Sequence, residues 1–445
     1  MSTIDFEFSQ EQLKETANKI LDIATKSGAS AAQLEINESI ATGVDVLNNE
    51  IENFETSYDR TLALTVYVGK KRGNIGITSI LPNNIEQIIN QAIDIAKYTQ
   101  EDPANGIADK EFICKSINCD LELYHPIIIS NQTLIDKAKN IEAIALQSDK
   151  RITSSDGSSI SLVKHNFVIA NTNDLNLGYK TTRYSNSISL IGGETNMQTD
   201  YWYSSSRDFN DMASDYDLAQ RAVSRVIRRL NKKEIKTNTY PVIFESQIAK
   251  SIIGNFLGGI KGQNLFRKLS FLNDSLNTQI FPEWLNIIED PFITRGLSSC
   301  YFDNEGVFVQ RRNLVENGTI KGYLLSSYTA RKLSMNPTGN AGGSHNIIVS
   351  NNITGDVNTL AKKMDKGLII IETIGHGLNM VTGDYSVGAS GLWVEDGQIQ
   401  HFVDNITISG NMKDILKNIA YISDDYHSGS IMCGSMLVDG ITVSN

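Results

Sequence analysis

The spacing of apolar residues divides this chain into helical and extended stretches before any motif is consulted. Leu13, Ala17, Ile20, Leu21 and Ala24 recur at three- and four-residue intervals, which places them on one face of a helix. Ser9 and Gln12 have capping-box spacing at its start, and Gly28 ends it. Extended runs follow at residues 32–38, 43–47, 51–56, 62–68 and 73–78, with turns at Asn48-Asn49, Tyr58-Asp59-Arg60 and Gly69-Lys70-Lys71. Pro82 opens a second helix that reaches about Tyr98. Consecutive strands joined by short turns pair antiparallel, so the first region is an α-β-α unit of the α+β kind.

A polar linker over residues 99–120 leads to a second region. It holds a helix near residues 133–147, then long strand candidates between Arg151 and Phe209, with turn signals at Asp156-Gly157, Asn173-Asp174 and Gly192-Gly193. Residues 216–233 close it as a helix whose apolar stripe is Ala219, Ala222, Val223, Val226, Ile227 and Leu230. Arg221, Arg225, Arg228 and Arg229 lie largely off that stripe and read as a solvated face, with contact to an acidic partner as the alternative. The third region begins at Tyr240, where a strand over residues 241–244 runs into a helix over 245–258. Mainly strand and turn patterns follow, with one more helix at residues 411–419. No fixed-period repeat occurs, which excludes solenoids and propellers. The expected architecture is α+β and multi-domain: an N-terminal α/β-meander domain (1–100), a middle mixed domain (101–236) and a β-rich C-terminal domain (237–445).

Composition agrees with this and narrows the partners. A chain of 445 residues at about 150 per domain suggests about three domains. A net charge of -11 argues against nucleic acid, whose affinity comes from clustered Lys and Arg. No stretch approaches the ~18 apolar residues of a membrane span, and the opening MSTIDFEFSQEQ has neither a basic nor a long apolar segment. Four cysteines do not make a disulfide framework. These features point to the cytoplasm.

The glycine-punctuated run over residues 372–391, ETIGHGLNMVTGDYSVGASG, is the most distinctive segment. Its glycines free the backbone for positive φ and close approach of another main chain. Gly375, His376, Gly377, Asp384, Tyr385, Ser386 and Ser390 are therefore the candidates for contacting a peptide or a partner. His376 and Asp384 would form an acid-base pair if their loop folds back, against His376 as a plain polar loop residue.

Other chemistry is absent from the pattern. A hydrolytic zinc helix needs two histidines one turn apart, and none of His125, His165, His345, His376, His401 and His427 has such a neighbour. Cys114-x4-Cys119-x5-His125 is too loose for a metal site and reads as ordinary linker thiols. There is no G-x-S-x-G elbow, phosphate loop or dinucleotide fingerprint. Asp290, Arg295, Asp303 and Glu305 read as one structural ion-pair network, and Cys433 as a small buried side chain. No catalytic residue is assigned.

Several ordered strings nonetheless carry a likeness: TLALTVYVGKKRGNIGITSI, IIEDPFITRGLSSCYFDNEGV, RRNLVENGTIKGYLLSSYTARKL, PTGNAGG, VTGDYSVGASGLWVEDGQI, ITISGNMKDILKNI and CGSMLVDG. Over nearly its full length the chain resembles the TldD/PmbA family, in its PmbA (TldE) branch. The resemblance implies a small N-terminal α/β domain, a middle domain and a β-rich C-terminal domain. It also implies proteolysis of unstructured peptides, including antibiotic precursors and antitoxins. In that family the TldD-type subunit carries an HExxxH helix with zinc and a late cysteine, and it pairs with a PmbA-type subunit.

This chain departs from the pattern where such a helix would lie, reading ESQIAKSIIGNFLG over residues 245–258 with no histidine. Cys433 resembles the late cysteine, yet one thiolate makes a poor zinc site. The expectation is thus a non-catalytic subunit that binds no cofactor itself, with zinc on a TldD-type partner, and whose glycine-rich run lines a cavity or offers a strand edge to the peptide. The alternatives are an autonomous hydrolase assembled from His376, Asp384 and Cys433, or a homodimer that binds peptides without cleaving them.

Overall fold

A computed structural model describes residues 5–78, 84–427 and 429–445. Helix α1 (Gln10–Lys26) begins as its spacing requires. Ser9 and Gln12 exchange side-chain and backbone hydrogen bonds, and Leu13, Ala17, Ile20, Leu21 and Ala24 are buried.

The five short extended runs fuse into three strands, β1 (Ala31–Leu47), β2 (Glu50–Val68) and β3 (Lys71–Ile77). β1 and β2 pair from Ala31↔Tyr67 to Leu47↔Glu50 with a single bulge at Asp45/Val46. Tyr58-Asp59-Arg60 is therefore no turn. Arg60 lies opposite Glu38, its Nε 3.5 Å from a carboxylate that is 4% exposed. Inward alternation simply continues through Glu38 and Ile40, the ion pair allowing a charge at an inward position. Asn48 and Asn49 both take positive φ, 54° and 61°, as a two-residue hairpin turn between right-twisted strands demands. Helix α2 (Ile85–Tyr98) follows, and Pro82 lies outside the described residues.

Helix α3 (Asn131–Ser148) precedes β4 (Ile152–Asn171), β5 (Asn176–Gly192), β6 (Gln198–Ser206) and helix α4 (Asp215–Ile227). Asp156-Gly157 sits within β4, where the register against β5 shifts, so that signal marks a bulge and not a turn. The strands of the first two regions form one antiparallel sheet in the order β3-β2-β1-β4-β5-β6. α1 and α2 pack on one half of it and α3 and α4 on the other, each half with its own apolar core.

The third region runs β7 (Asn238–Phe244), α5 (Ser246–Gly259), α6 (Gly262–Phe266), β8 (Ile287–Asp290), β9 (Arg312–Glu316), β10 (Thr319–Ile320), α7 (Ser327–Lys332) and β11 (Asn346–Val349). It continues with α8 (Val357–Met364), β12 (Gly367–Ile374), β13 (Asp384–Glu395), β14 (Gln398–Asn411), α9 (Met412–Lys417), β15 (Ile419–Ile422), β16 (Ile431–Met432) and β17 (Met436–Ser444). One sheet is ordered β10-β9-β8-β11-β16 and the other β14-β13-β12-β7-β17-β15. β14 also pairs with β17, so β7, β12, β13, β14 and β17 close into a ring. α5 packs into the large core between the sheets through Ala249, Ile252, Ile253, Phe256 and Leu257. The expected α+β, multi-domain class holds. The strand-and-turn reading of the third region missed α6, α7 and α8, although Asp356 and Thr359 have the spacing of the box that caps α8. Among the described residues, no helix is long and apolar enough to cross a membrane.

Candidate functional site

The arginines of α4 are not a solvated face. Arg225, Arg228 and Arg229 dock against carboxylates, most of them from the third region, while Arg221 stays exposed and meets His427. Arg228 gives two bonds to Glu245, at 2.6 and 2.9 Å, and Arg225 Nη1 reaches the same carboxylate at 3.2 Å. Arg225 and Arg229 also hold Asp200 of β6 at 3.0 and 2.7 Å, and Arg229 continues to Glu372 of β12 at 2.6 Å. Burial alone would raise the Glu245 carboxyl, but the bonds and charges of Arg228 and Arg225 hold it below its ordinary range. Helical spacing put the four arginines off the apolar stripe as expected. What it could not supply was the acidic surface that three of them meet, because Asp200, Glu245 and Glu372 are scattered in sequence.

Beside this ion cluster is a cavity of about 380 Å³ at the N-terminal end of α5. Its walls include Trp202 of β6, Arg221, Arg225 and Arg228 of α4, Glu245 and Ser246 where α5 begins, and Asp425 and His427 from the segment before β16. Arg221 lies over the Trp202 ring at 4.5 Å and meets His427 Nε2 at 2.5 Å. Burial, and then the charges of Arg221 and Lys250, pull His427 down to about 4, so the ring is neutral at pH 7. Sequence reasoning passed over Trp202 and weighed His427 only as a zinc ligand. No signal marks them, since their meeting depends on docking β6 and α4 onto the third region.

Cys433 is fully buried, as read from the sequence, and its thiol is pushed up to about 12 by burial, with Lys250 pulling it back and Asp425 adding to the rise. Among the described residues no three His, Cys, Asp or Glu side chains converge to hold a metal. An ammonium beside an un-ionised thiol does not suit zinc, which requires thiolate, imidazole or carboxylate donors. The residues present therefore do not fit a resident zinc ion.

The glycine-punctuated run is split by the fold. Residues 375–383 form a loop, with Gly375 at φ 91° and Gly383 at φ 83°. Gly377 is needed for contact, because a Cβ there would lie 2.5 Å from that of Val387. From Asp384 the chain is β13, paired to β14 throughout and to β12 from Gly388 onward, while Asn379 and Gly377 of the loop bond to Asp384 and Ser386 on the other side, so it has no free edge to offer a peptide. Tyr385 is 5% exposed and belongs to the core, and burial raises its hydroxyl to about 12. Ser390 is also buried, donating to Glu372 at 3.1 Å. His376, Asp384 and Ser386 are exposed.

His376 and Asp384 are not an acid-base pair, since the Asp384 carboxylate takes Thr382 Oγ1 and Asn411 Nδ2. Nor does Cys433 join them. It lies near Lys250 in the first turns of α5, whereas Met380 of their loop packs at Gly258, at the other end of that helix. Eight residues of α-helix separate these points by roughly 12 Å. The structure therefore sets Cys433 and the His376–Asp384 loop at opposite ends of α5.

Two further groupings come apart. Asp290 pairs with Arg311, Arg295 pairs with Glu122 and Asp211, Asp303 accepts the backbone N–H of Glu305, Val307 and Ala341, and Glu305 accepts that of Ser327. These are separate local ties and not one network. In the linker, Cys114 lies against Tyr301 O while the His125 ring turns to Glu122 O, so no ligand set forms.

A three-region α+β chain thus carries an arginine–carboxylate cluster and a small cavity at the start of α5. The sequence matches PmbA/TldA metallopeptidase domain 1 over residues 32–96, the central domain over 124–230 and the C-terminal domain over 237–445. The chain belongs to the PmbA/TldD family of metallopeptidases. It is 39% identical to a metalloprotease PmbA homolog of Haemophilus influenzae, covering 100% of this chain and 98% of that one. It is 37% identical to metalloprotease PmbA of Escherichia coli O157:H7, over 98% and 97% of the two chains. A crystal structure from Bacteroides thetaiotaomicron, of a suggested modulator of DNA gyrase, superposes with a TM-score of 0.93 at 26% identity, over 98% of this chain and 99% of that one. TldE from Thermococcus kodakarensis shares the fold, with a TM-score of 0.84 at 19% identity over 97% and 100%.

Proposed function

We propose that this chain is the PmbA/TldE-type, non-catalytic subunit of a two-subunit cytoplasmic peptidase. It contributes cavity and binding surface for unstructured peptides, while zinc and the cleaving residues belong to a TldD-type partner bearing HExxxH. The observation that carries this reading is full-length family membership combined with a start of α5 that presents Glu245, Lys250 and arginines instead of converging metal donors. The exposed residues Gly375 and His376 of the loop and Asp384 and Ser386 of β13 are the candidate surface for peptide or partner, with Gly377 shaping the loop from within.

The test is metal analysis and a peptidase assay on the purified chain, repeated after mixing with an HExxxH-bearing relative from the same source. The expected result is no stoichiometric zinc and no cleavage alone, then chelator-sensitive cleavage by the mixture. Hydrolysis by the isolated chain that a chelator abolishes refutes the proposal. Size-exclusion of the same samples separates a heterodimer from a homodimer that binds peptides without processing them.

A further inference from the structure

Arg221 differs from its neighbours on α4 in what it meets. Arg225, Arg228 and Arg229 are each paired with carboxylates, whereas among the described residues Arg221 has no carboxylate within ion-pair distance. Its hydrogen-bond partner is the His427 imidazole, which accepts from it as a neutral ring, and the favourable charges of Glu245 and Asp425 reach it only from beyond ion-pair distance. Lys250, which donates to His427 O at 3.3 Å, also has no carboxylate partner among the described residues.

The acids nearby are already engaged. Asp425 accepts from Ser423 Oγ, Ser435 N and Ser435 Oγ at 2.7–2.8 Å. Glu245 is held by Arg225 and Arg228, and Asp356 caps α8 through Asn358 and Thr359. A guanidinium centred 4.5 Å from the Trp202 ring thus lines a 380 Å³ cavity without a carboxylate bonded to it. That planar fork matches a carboxylate in two-point hydrogen bonding, and a volume at the lower end of the small-ligand range admits a peptide residue but no folded domain.

We propose that the cavity at the start of α5 is a subsite for a peptide carboxylate, held by Arg221. This rests on the peptide-handling reading above and deepens it. The carboxylate comes from a chain terminus or from an Asp or Glu side chain, and the Trp202 ring forms the wall beside it.

Isothermal titration of the full-length chain tests this with one short extended peptide lacking Asp and Glu, prepared in three forms: free C-terminal acid, C-terminal amide, and amide with one internal Glu. The expected result is binding about ten-fold tighter for a carboxylate-bearing form than for the plain amide. Tightening confined to the free acid assigns the chain terminus, tightening confined to the Glu form assigns the side chain, and tightening of both assigns either source. Arg221→Gln removes the difference, while Arg311→Gln, whose side chain pairs with Asp290, retains it.

Equal affinity of the three forms, no binding by any of them, or discrimination that survives Arg221→Gln overturns the proposal. The comparison on the unaltered chain requires no variant, so misfolding of Arg221→Gln does not block it. It also uses the isolated chain, so its failure leaves the reconstitution experiment standing, and a failed reconstitution leaves this result standing.

Discussion

Glu245→Gln is the most direct perturbation of the junction between the second and third regions. The substitution keeps shape and one acceptor oxygen but removes the charge that three arginine contacts, at 2.6, 2.9 and 3.2 Å, depend on. Charge-assisted hydrogen bonds contribute about 1.5–3 kcal/mol each, and breaking a buried pair costs about 3–5 kcal/mol by stranding its partner. Two features reduce that figure. Arg225 keeps Asp200, and the Arg228 side chain is 23% exposed, so water takes over part of its solvation. A loss of about 2–3 kcal/mol remains.

Urea unfolding followed by tryptophan fluorescence reads this, because Trp202 reports the second region and Trp284 and Trp393 the third. The double-mutant cycle of Glu245→Gln with Arg228→Gln isolates the pair and is expected to give a coupling of about 1.5–2.5 kcal/mol. Proteolysis of the connecting residues 228–237 should accelerate in parallel, since undocking exposes them. A coupling below about 0.5 kcal/mol, the range of exposed surface pairs, would refute the claim that this cluster joins the regions.

Other consequences of the structure are open to test. Gly391→Ala should cost about 1–3 kcal/mol by overpacking, because the added Cβ would lie 2.4 Å from Ile369 O, and an unchanged urea midpoint would contradict that close approach. In native protein a thiol reagent should label exposed Cys119 readily and Cys433 only on unfolding, and prompt native labelling of Cys433 would contradict its burial and raised thiol. His427 titrates at about 4 when folded, below the ordinary value of 6.5, so the unfolded chain binds the extra proton between those values and stability falls as pH drops through that window. His427→Gln should flatten the pH dependence of the unfolding midpoint from 6.5 to 4, and an identical slope in both proteins would disprove the assignment.

The periodic patterns made the helices with one buried face readable, down to the Ser9–Gln12 box of α1. They failed at strand lengths. Glu38 and Arg60 looked like a polar break, and only their pairing across β1 and β2 makes each tolerable inside a strand. The short helix α8 was lost among strand signals because a helix of eight residues shows scarcely two turns of periodicity.

The candidate site was less legible, for the same physical reason. Sequence alone determined the family, the inventory of chemistry the chain lacks, and which side chains are available: arginines at helical spacing, an acidic residue at the start of α5, a late cysteine. Tertiary structure decided what those side chains meet. Glu245 and Arg228 are 17 residues apart, Arg229 and Glu372 are 143 apart and Arg221 and His427 are 206 apart, so no local pattern encodes their contact. A solvated arginine face and a buried ion cluster have one and the same helical periodicity, and docking onto the third region is what distinguishes them.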